Sequence, residues 1–249
     1  MRLSVIIPAY NESERIIKTL ESVDNYLSGQ NYEYEILVVN DGSTDKTVEV
    51  LSNIKYQISN IKILDNTENH GKGWVVRRGM LEAKGDLRLF MDADNSTTID
   101  QIENFFPYFT AKDKLASGGE NGYDIVIGSR RVEGSKIAVK QPWIRDLLGS
   151  IFRLVVHSLV PLGVNDSQAG FKMFSARAAD AVFKKQTIFR WAFDVEILAI
   201  ARKLKLRVKE APIAWINDAE SRVKLSGMIE MLFEVMQVRW NLWTGKYKM

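Results

Sequence analysis

Residues 4–91 repeat one pattern: an apolar run, a polar or glycine-rich turn, then apolar residues at helical spacing. The runs are Ser4–Pro8, Tyr34–Val39, Ile61–Leu64 and Leu87–Met91. Between them come Ile16, Ile17, Leu20, Val23 and Leu27, then 47–54, then Trp74, Val75, Met80 and Leu81. Near-continuous apolar strands alternating with helices predict an α/β fold: a mostly parallel central sheet with helices on both faces. Asn11 is the predicted N-cap of the first helix. In such sheets ligands bind outside the carboxyl ends of the strands. Tyr10, Glu12, Asp41, Lys72, Asp92 and Asp94 all lie at or just past those ends.

The fourth run leads into Asp92-Ala93-Asp94. On an extended backbone residues two apart face the same side, so the two carboxylates approach each other. They repel unless a cation joins them or one is protonated. Mg²⁺ and Mn²⁺ favour oxygen ligands, and Mg²⁺ typically links one or two carboxylates to a substrate's phosphates. A solvated strand end is the plainer reading of the same residues.

Composition narrows the chemistry. Among 249 residues there is no cysteine, so disulfides, thiolate metal sites and a cysteine nucleophile are excluded. With only His70 and His157, a multi-histidine zinc site is not expected. The net charge of +3, from 34 basic and 31 acidic residues, predicts no nucleic-acid partner. The opening residues lack a signal-peptide pattern. Leu147–Val164, the longest weakly charged stretch, is broken by Arg153, His157 and Pro161, so no transmembrane helix is expected.

The second half is less regular. Asp124–Gly128 and Leu206–Ala211 read as strands, and 176–183 and 192–203 as helices. Asp166 to Phe174 reads as a polar loop entering a strand. Residues 143–160 and 223–243 are apolar helices too interrupted to span a bilayer. Each either lies in a membrane interface or packs as core. Arg145, at the start of 143–160, favours the interfacial reading there. In the last helix Glu230, Glu234, Gln237 and Asn241 fall at steps of 4, 3 and 4, one narrow polar stripe. The expected division is a domain at 1–215 and an amphipathic helical segment at 216–249.

Five motifs occur in order: Val5 to Glu12 (VIIPAYNE), Val38 to Asp45 (VVNDGSTD), Asn69 to Gly73 (NHGKG), Asp92-Ala93-Asp94, and Gly128-Ser129-Arg130. With Asp166 to Phe174 (DSQAGFKMF) and Arg190 to Glu196 (RWAFDVE), they resemble the family 2 glycosyltransferases of GT-A fold. Among these the chain is most similar to the polyprenyl-phosphate sugar synthases of the dolichyl-phosphate β-glucosyltransferase branch. Asn40 stands where that family usually has an aspartate, Ser96 where some members carry a further metal ligand, and 217–225 keeps only part of a basic loop.

The resemblance implies inverting, metal-dependent transfer of a hexose, glucose from UDP-glucose, to a polyprenyl or dolichyl monophosphate. The alternatives are mannosyl or GlcNAc transfer to that carrier, or transfer to a hydroxyl acceptor in cell-surface glycan synthesis. It implies that Pro8, Ala9, Tyr10, Glu12, Val39, Asp41, Lys72, Asp92, Ala93, Arg130 and Arg222 bind the nucleotide sugar. Asp92 and Asp94 would hold Mg²⁺ or Mn²⁺. Asp92, Asp94, Arg130, Arg145 and Asp194 form the implied catalytic set. A phosphate is already anionic at neutral pH and needs a cationic cradle, not a base. A hydroxyl acceptor needs a base, for which Asp194 is the candidate, with Asp166 as runner-up. The expected location is peripheral, on the cytoplasmic face of a membrane.

Overall fold

The structure is a computed structural model describing residues 1–109, 122–138, 143–216 and 225–247; the side chains of 143–148, 151, 225 and 226 lie outside that description. The first half alternates as β1 (Arg2–Ala9), α1 (Ile16–Ser28), β2 (Glu33–Asn40), α2 (Thr47–Ile54), β3 (Ile61–Leu64), α3 (Lys72–Glu82) and β4 (Leu87–Met91). A 3₁₀ segment (Ile99–Asn104) and α4 (Phe106–Phe109) follow. Then come β5 (Ile125–Ser129), β6 (Lys136–Ile137), α5 (Trp143–Leu159), β7 (Phe171–Ser175), α6 (Ala176–Phe183), α7 (Phe193–Lys203), β8 (Val208–Pro212), β9 (Ala214–Trp215) and α8 (Leu225–Trp243).

Seven strands form the main sheet in the order β3-β2-β1-β4-β7-β5-β8. All its neighbours pair parallel except β7, which runs antiparallel between β4 and β5. Strand alternation divides the core. Leu3, Val5 and Ile7 point to the layer with α1 and α2, while Ile6 points to the layer with α3, α6 and α7. Helices therefore cover both faces, as the apolar strands require. The fit between α3 and β1 is close: a Cβ at Gly79 would stand 2.5 Å from Ile6 Cγ2. A Gly79→Val change would force that pair apart.

The antiparallel strand positions the site. In its register Phe171 opposes Met91, so the loop before β7 meets the end of β4. Asp92 N–H donates to Gly170 O at 3.1 Å. Residues distant in sequence thus share one edge.

Helix α8 divides its polar stripe, with Glu230 and Gln237 exposed. Glu234 and Asn241 point inward, whereas Ile229, Phe233, Met236, Trp240 and Trp243 are exposed. Among the described side chains of α5 the exposed large apolar residue is Leu154. No helix among the described residues is long and apolar enough to cross a membrane. Asn11 does not cap α1, whose N-cap position is Arg15. Its Oδ1 instead accepts N–H groups from Thr44 and Asp45, and its φ of 55° suits an asparagine.

Candidate active site

The ends of β1 and β2 build the first wall. Pro8 and Ala9 close β1, and Val39 lies near the end of β2. Asp41 N–H donates to Ala9 O at 2.9 Å, joining the two strand ends. The buried Asp41 carboxylate accepts the N–H of His70 at 2.8 Å and of Gly71 at 2.9 Å. Burial pushes its pKa up, and those two N–H groups oppose the rise. Asp41 therefore shapes the 69–71 loop, a task the sequence did not disclose. Tyr10 is exposed on the same rim, and Glu12 pairs with Arg15 at 2.5 Å. Asn40, at the family's aspartate position, donates to Asp65 Oδ1 at 2.6 Å.

At the centre, β4 ends at Met91 and the backbone turns at Ala93 and Asp94, so the pair sits on a turn rather than an extended strand. The Ala93 carbonyl is pinned by Thr19 Oγ1 at 2.6 Å. Lys72 Nζ lies 2.6 Å from Asp92 Oδ1. Burial pulls the Lys72 pKa down, but Asp92 and then Asp194 hold it above the ordinary lysine value. Asp94 accepts the Ser96 N–H at 2.9 Å, yet burial, then the neighbouring Asp92 charge, push its pKa up.

These residues fit a hard divalent cation. The donors are all oxygen, and the neighbouring Asn95 Oδ1 is buried without a hydrogen-bond partner. Gly170 packs so closely on the Asp92 carboxylate that a Cβ there would fall 1.9 Å from Oδ2. No group of three or more acidic or histidine side chains forms a complete ligand set among the described residues. Asp92 and Asp94 would hold such an ion together with water and a ligand's phosphates, as Mg²⁺ commonly is held.

Beyond β4 the charges pair with one another. Arg130, just past β5, grips buried Asp166 with two bonds, Nε to Oδ2 at 2.7 Å and Nη2 to Oδ1 at 2.8 Å. Burial would raise the Asp166 pKa, but Arg130 holds it below the usual carboxylate range. The pair occupies one edge of the guanidinium fork and leaves Nη1 on the other. Trp215 lies under that guanidinium at 5.1 Å. Lys172, fully buried on β7, donates to Asp194 Oδ1 and to Ala169 O. Burial raises the Asp194 pKa against the pull of Lys172 and Lys72. The sequence reading passed over Lys172, although a lysine between Phe171 and Met173 on a buried strand must have a partner.

The structure thus brings Pro8, Ala9, Tyr10, Glu12, Val39, Asp41, Asp92, Ala93, Asp94 and Arg130 to the ends of the strands or the loops beside them, with Lys72 and Asp194 in the first turns of α3 and α7. Arg145 lies in the first turn of α5, with its side chain outside the described residues. Arg222 lies outside them altogether.

Comparisons with known proteins agree with this fold. The family model described as glycosyl transferase family 2 matches residues 4–183. A dolichyl-phosphate beta-glucosyltransferase of Trichomonas vaginalis is 38% identical, over 98% of this chain and 73% of that protein. The dolichyl-phosphate beta-glucosyltransferase of Homo sapiens is 30% identical, over 100% of this chain and 78% of its own. Among solved structures, mannosyl-3-phosphoglycerate synthase from Rubrobacter xylanophilus superposes with a TM-score of 0.70 at 17% identity, covering 100% of this chain and 76% of that one. Glucosyl-3-phosphoglycerate synthase from Mycobacterium tuberculosis, with Mn²⁺, UDP and glucosyl-3-phosphoglycerate, gives 0.61 at 18% identity, covering 95% and 78%. These structural likenesses show the fold.

Proposed function

The chain belongs to glycosyl transferase family 2 and is a GT-A glycosyltransferase, and from that premise we propose that it transfers glucose from UDP-glucose to the monophosphate of a dolichyl or other polyprenyl carrier, inverting the anomeric carbon. The names of its relatives support the acceptor class and the sugar. One observation favours a phosphate over a hydroxyl acceptor: Asp194, the candidate base, is buried with its Oδ1 taken by the ammonium of fully buried Lys172. With that oxygen committed to the ammonium, Asp194 serves as the partner of Lys172, and an anionic phosphate needs no base.

In this reading Tyr10 packs the base, Glu12 accepts ribose hydroxyls and Asp41 holds the 69–71 loop against the nucleoside. Bound between Asp92 and Asp94, Mg²⁺ or Mn²⁺ would supply Lewis-acid neutralisation of charge on the departing diphosphate. Lys72 carries a second positive charge to the same place. It must exchange its bond to Asp92 for one to the donor. Arg130, fixed by Asp166 and Trp215, presents its other edge to the incoming phosphate. The phosphate oxygen attacks in line, the sugar–phosphate bond breaks, and UDP leaves with the electron pair.

The outer face of α8 supports a peripheral location. Ile229, Phe233, Met236, Trp240 and Trp243 recur at steps of 4, 3, 4 and 3 and are exposed together, and aromatic-rich apolar stripes of this kind bind the membrane interface. The cytoplasmic face is where this reading places the enzyme. The test is incubation with polyprenyl phosphate and Mg²⁺ or Mn²⁺, with UDP-glucose, GDP-mannose and UDP-GlcNAc offered in parallel. A hexosyl lipid formed from UDP-glucose, identified by mass, is expected. Absence of a lipid product from every donor overturns the proposal. Measured per folded molecule, since it leaves buried Lys172 without its anion, Asp194→Asn should retain turnover within about tenfold; a loss on the scale of removing a general base, roughly 10²–10⁴-fold, points to the hydroxyl-acceptor alternative.

A further inference from the structure

The inward polar residues of α8 are spent on one segment, residues 184–192 between α6 and α7. Glu234 Oε2 accepts the N–H of Trp191 at 2.9 Å and of Ala192 at 2.8 Å. Ala192, the N-cap position of α7, makes no side-chain cap bond, so the carboxylate that meets this helix start comes from another helix. Farther along α8, Asn241 Nδ2 donates to Thr187 Oγ1 at 3.2 Å and to the Tyr247 hydroxyl at 3.0 Å. Buried Tyr247 in turn donates to Glu196 at 2.7 Å. Glu196, also buried, accepts the N–H groups of Thr187 and Ile188.

The opposite side of the same segment presses on the loop that carries Lys72. Trp74 N–H donates to Phe189 O at 3.1 Å, and Gln186 Nε2 donates to Gly73 O at 2.9 Å. A Cβ at Gly71 would stand 2.5 Å from Phe189 O, and one at Gly73 would stand 2.6 Å from Phe193 Cβ. No slack separates the two loops. Lys72 sits between those glycines, and Asp194 follows Ala192 by two residues.

We propose that α8 is a working part of the active site, with Glu234 as a positioning residue: through the 184–192 segment it holds Lys72 and Asp194 in place. Buried carboxylates and amides are costly unless bonded, and both Glu234 bonds and one Asn241 bond fall on the segment shared by the site and the outer helix. The helix whose outer stripe faces a membrane in the reading above therefore also sets the geometry of the donor loop. The inference rests on the family's donor site and not on the identity of the acceptor.

The test is hydrogen–deuterium exchange on the whole, ligand-free protein, together with UDP binding in the presence of Mn²⁺. In Glu234→Ala, amides of 186–192 and of 71–76 should both exchange about tenfold faster, with α1 and α2 unchanged. UDP affinity should fall several-fold. Glu234→Gln keeps an acceptor oxygen and should restore most of both. Tyr247→Phe, a milder change, should move the same peptides less and serves if Glu234→Ala does not fold. Phe233→Ser, on the outer face, should alter neither reading while weakening binding to vesicles of anionic phospholipid. Exchange confined to α8 and 191–192, with 71–76 unmoved, overturns the proposal, as does Glu234→Gln behaving like alanine. Neither readout involves a lipid acceptor, so failure of the acceptor proposal appears only in the lipid-product assay.

Discussion

The two sides of the sheet edge use their carboxylates differently. On the nucleotide side, between β1 and β3, Asp41 bonds to the backbone of His70 and Gly71, and Asn11 to that of Thr44 and Asp45. Past β4, the two acids at the site bond to side-chain cations: Asp166 to Arg130 and Asp194 to Lys172. The first arrangement shapes loops around a ligand. The second fixes charges in depth, where a lone ion is costly and a matched pair is tolerated. An enzyme joining an uncharged sugar carbon to an anion needs both: a moulded recess for the nucleoside and a rigid, balanced field for the phosphate.

The contrast breaks most severely at Lys172. Lys172→Met leaves Asp194 buried without its cation and should cost about 3–5 kcal/mol of stability, read by urea unfolding. The loss should shrink in acid, as Asp194 takes up a proton. If Lys172→Met is nearly neutral, the paired-charge account of this side is wrong. Next is Asp92→Asn, which should reduce transfer by on the order of 10²–10³-fold by removing charge stabilisation at the diphosphate. Mn²⁺ binding, followed by calorimetry, should weaken with it.

A smaller effect separates the two sides by pH. Asp166 is held below its ordinary value of 3.8 by Arg130, so its contribution to stability is complete above that value. It should disappear as pH falls through the lower, folded-state value. Asp41 is raised by burial, so it should take up its proton at higher pH than Asp166. Carboxyl titration by NMR should show this order, and the reverse order would remove the distinction. The smallest effect is expected at exposed Tyr10. Tyr10→Ala should raise the donor KM several-fold, about 1 kcal/mol, with no change in melting temperature.

Much of the nucleotide side was legible in the residues. Strands β1 to β4 follow the apolar runs within a residue or two, because a strand buried on both faces must be mostly apolar. The turn residues of each motif fall at strand ends because sequence and space run together in a parallel α/β unit. The charge pairs past β4 were hidden. Asp166 and Arg130 are separated by 36 residues, and Lys172 and Asp194 by 22. Each pair meets only because β7 enters antiparallel between β4 and β5. Asn11 shows the same limit locally: its pattern suits a helix cap, but the neighbouring β2–α2 loop supplied better donors for its oxygen.

Helix α8 marks the boundary most clearly. Periodicity alone determined that it is amphipathic, with Glu234 and Asn241 on one stripe and Phe233 and Trp240 on another. That Glu234 and Asn241 face inward beside Val235 and Val238 was decided only by the tertiary structure. The 184–192 segment offers unpaired backbone N–H groups and a threonine hydroxyl, and bonding them outweighs burying a few more apolar side chains.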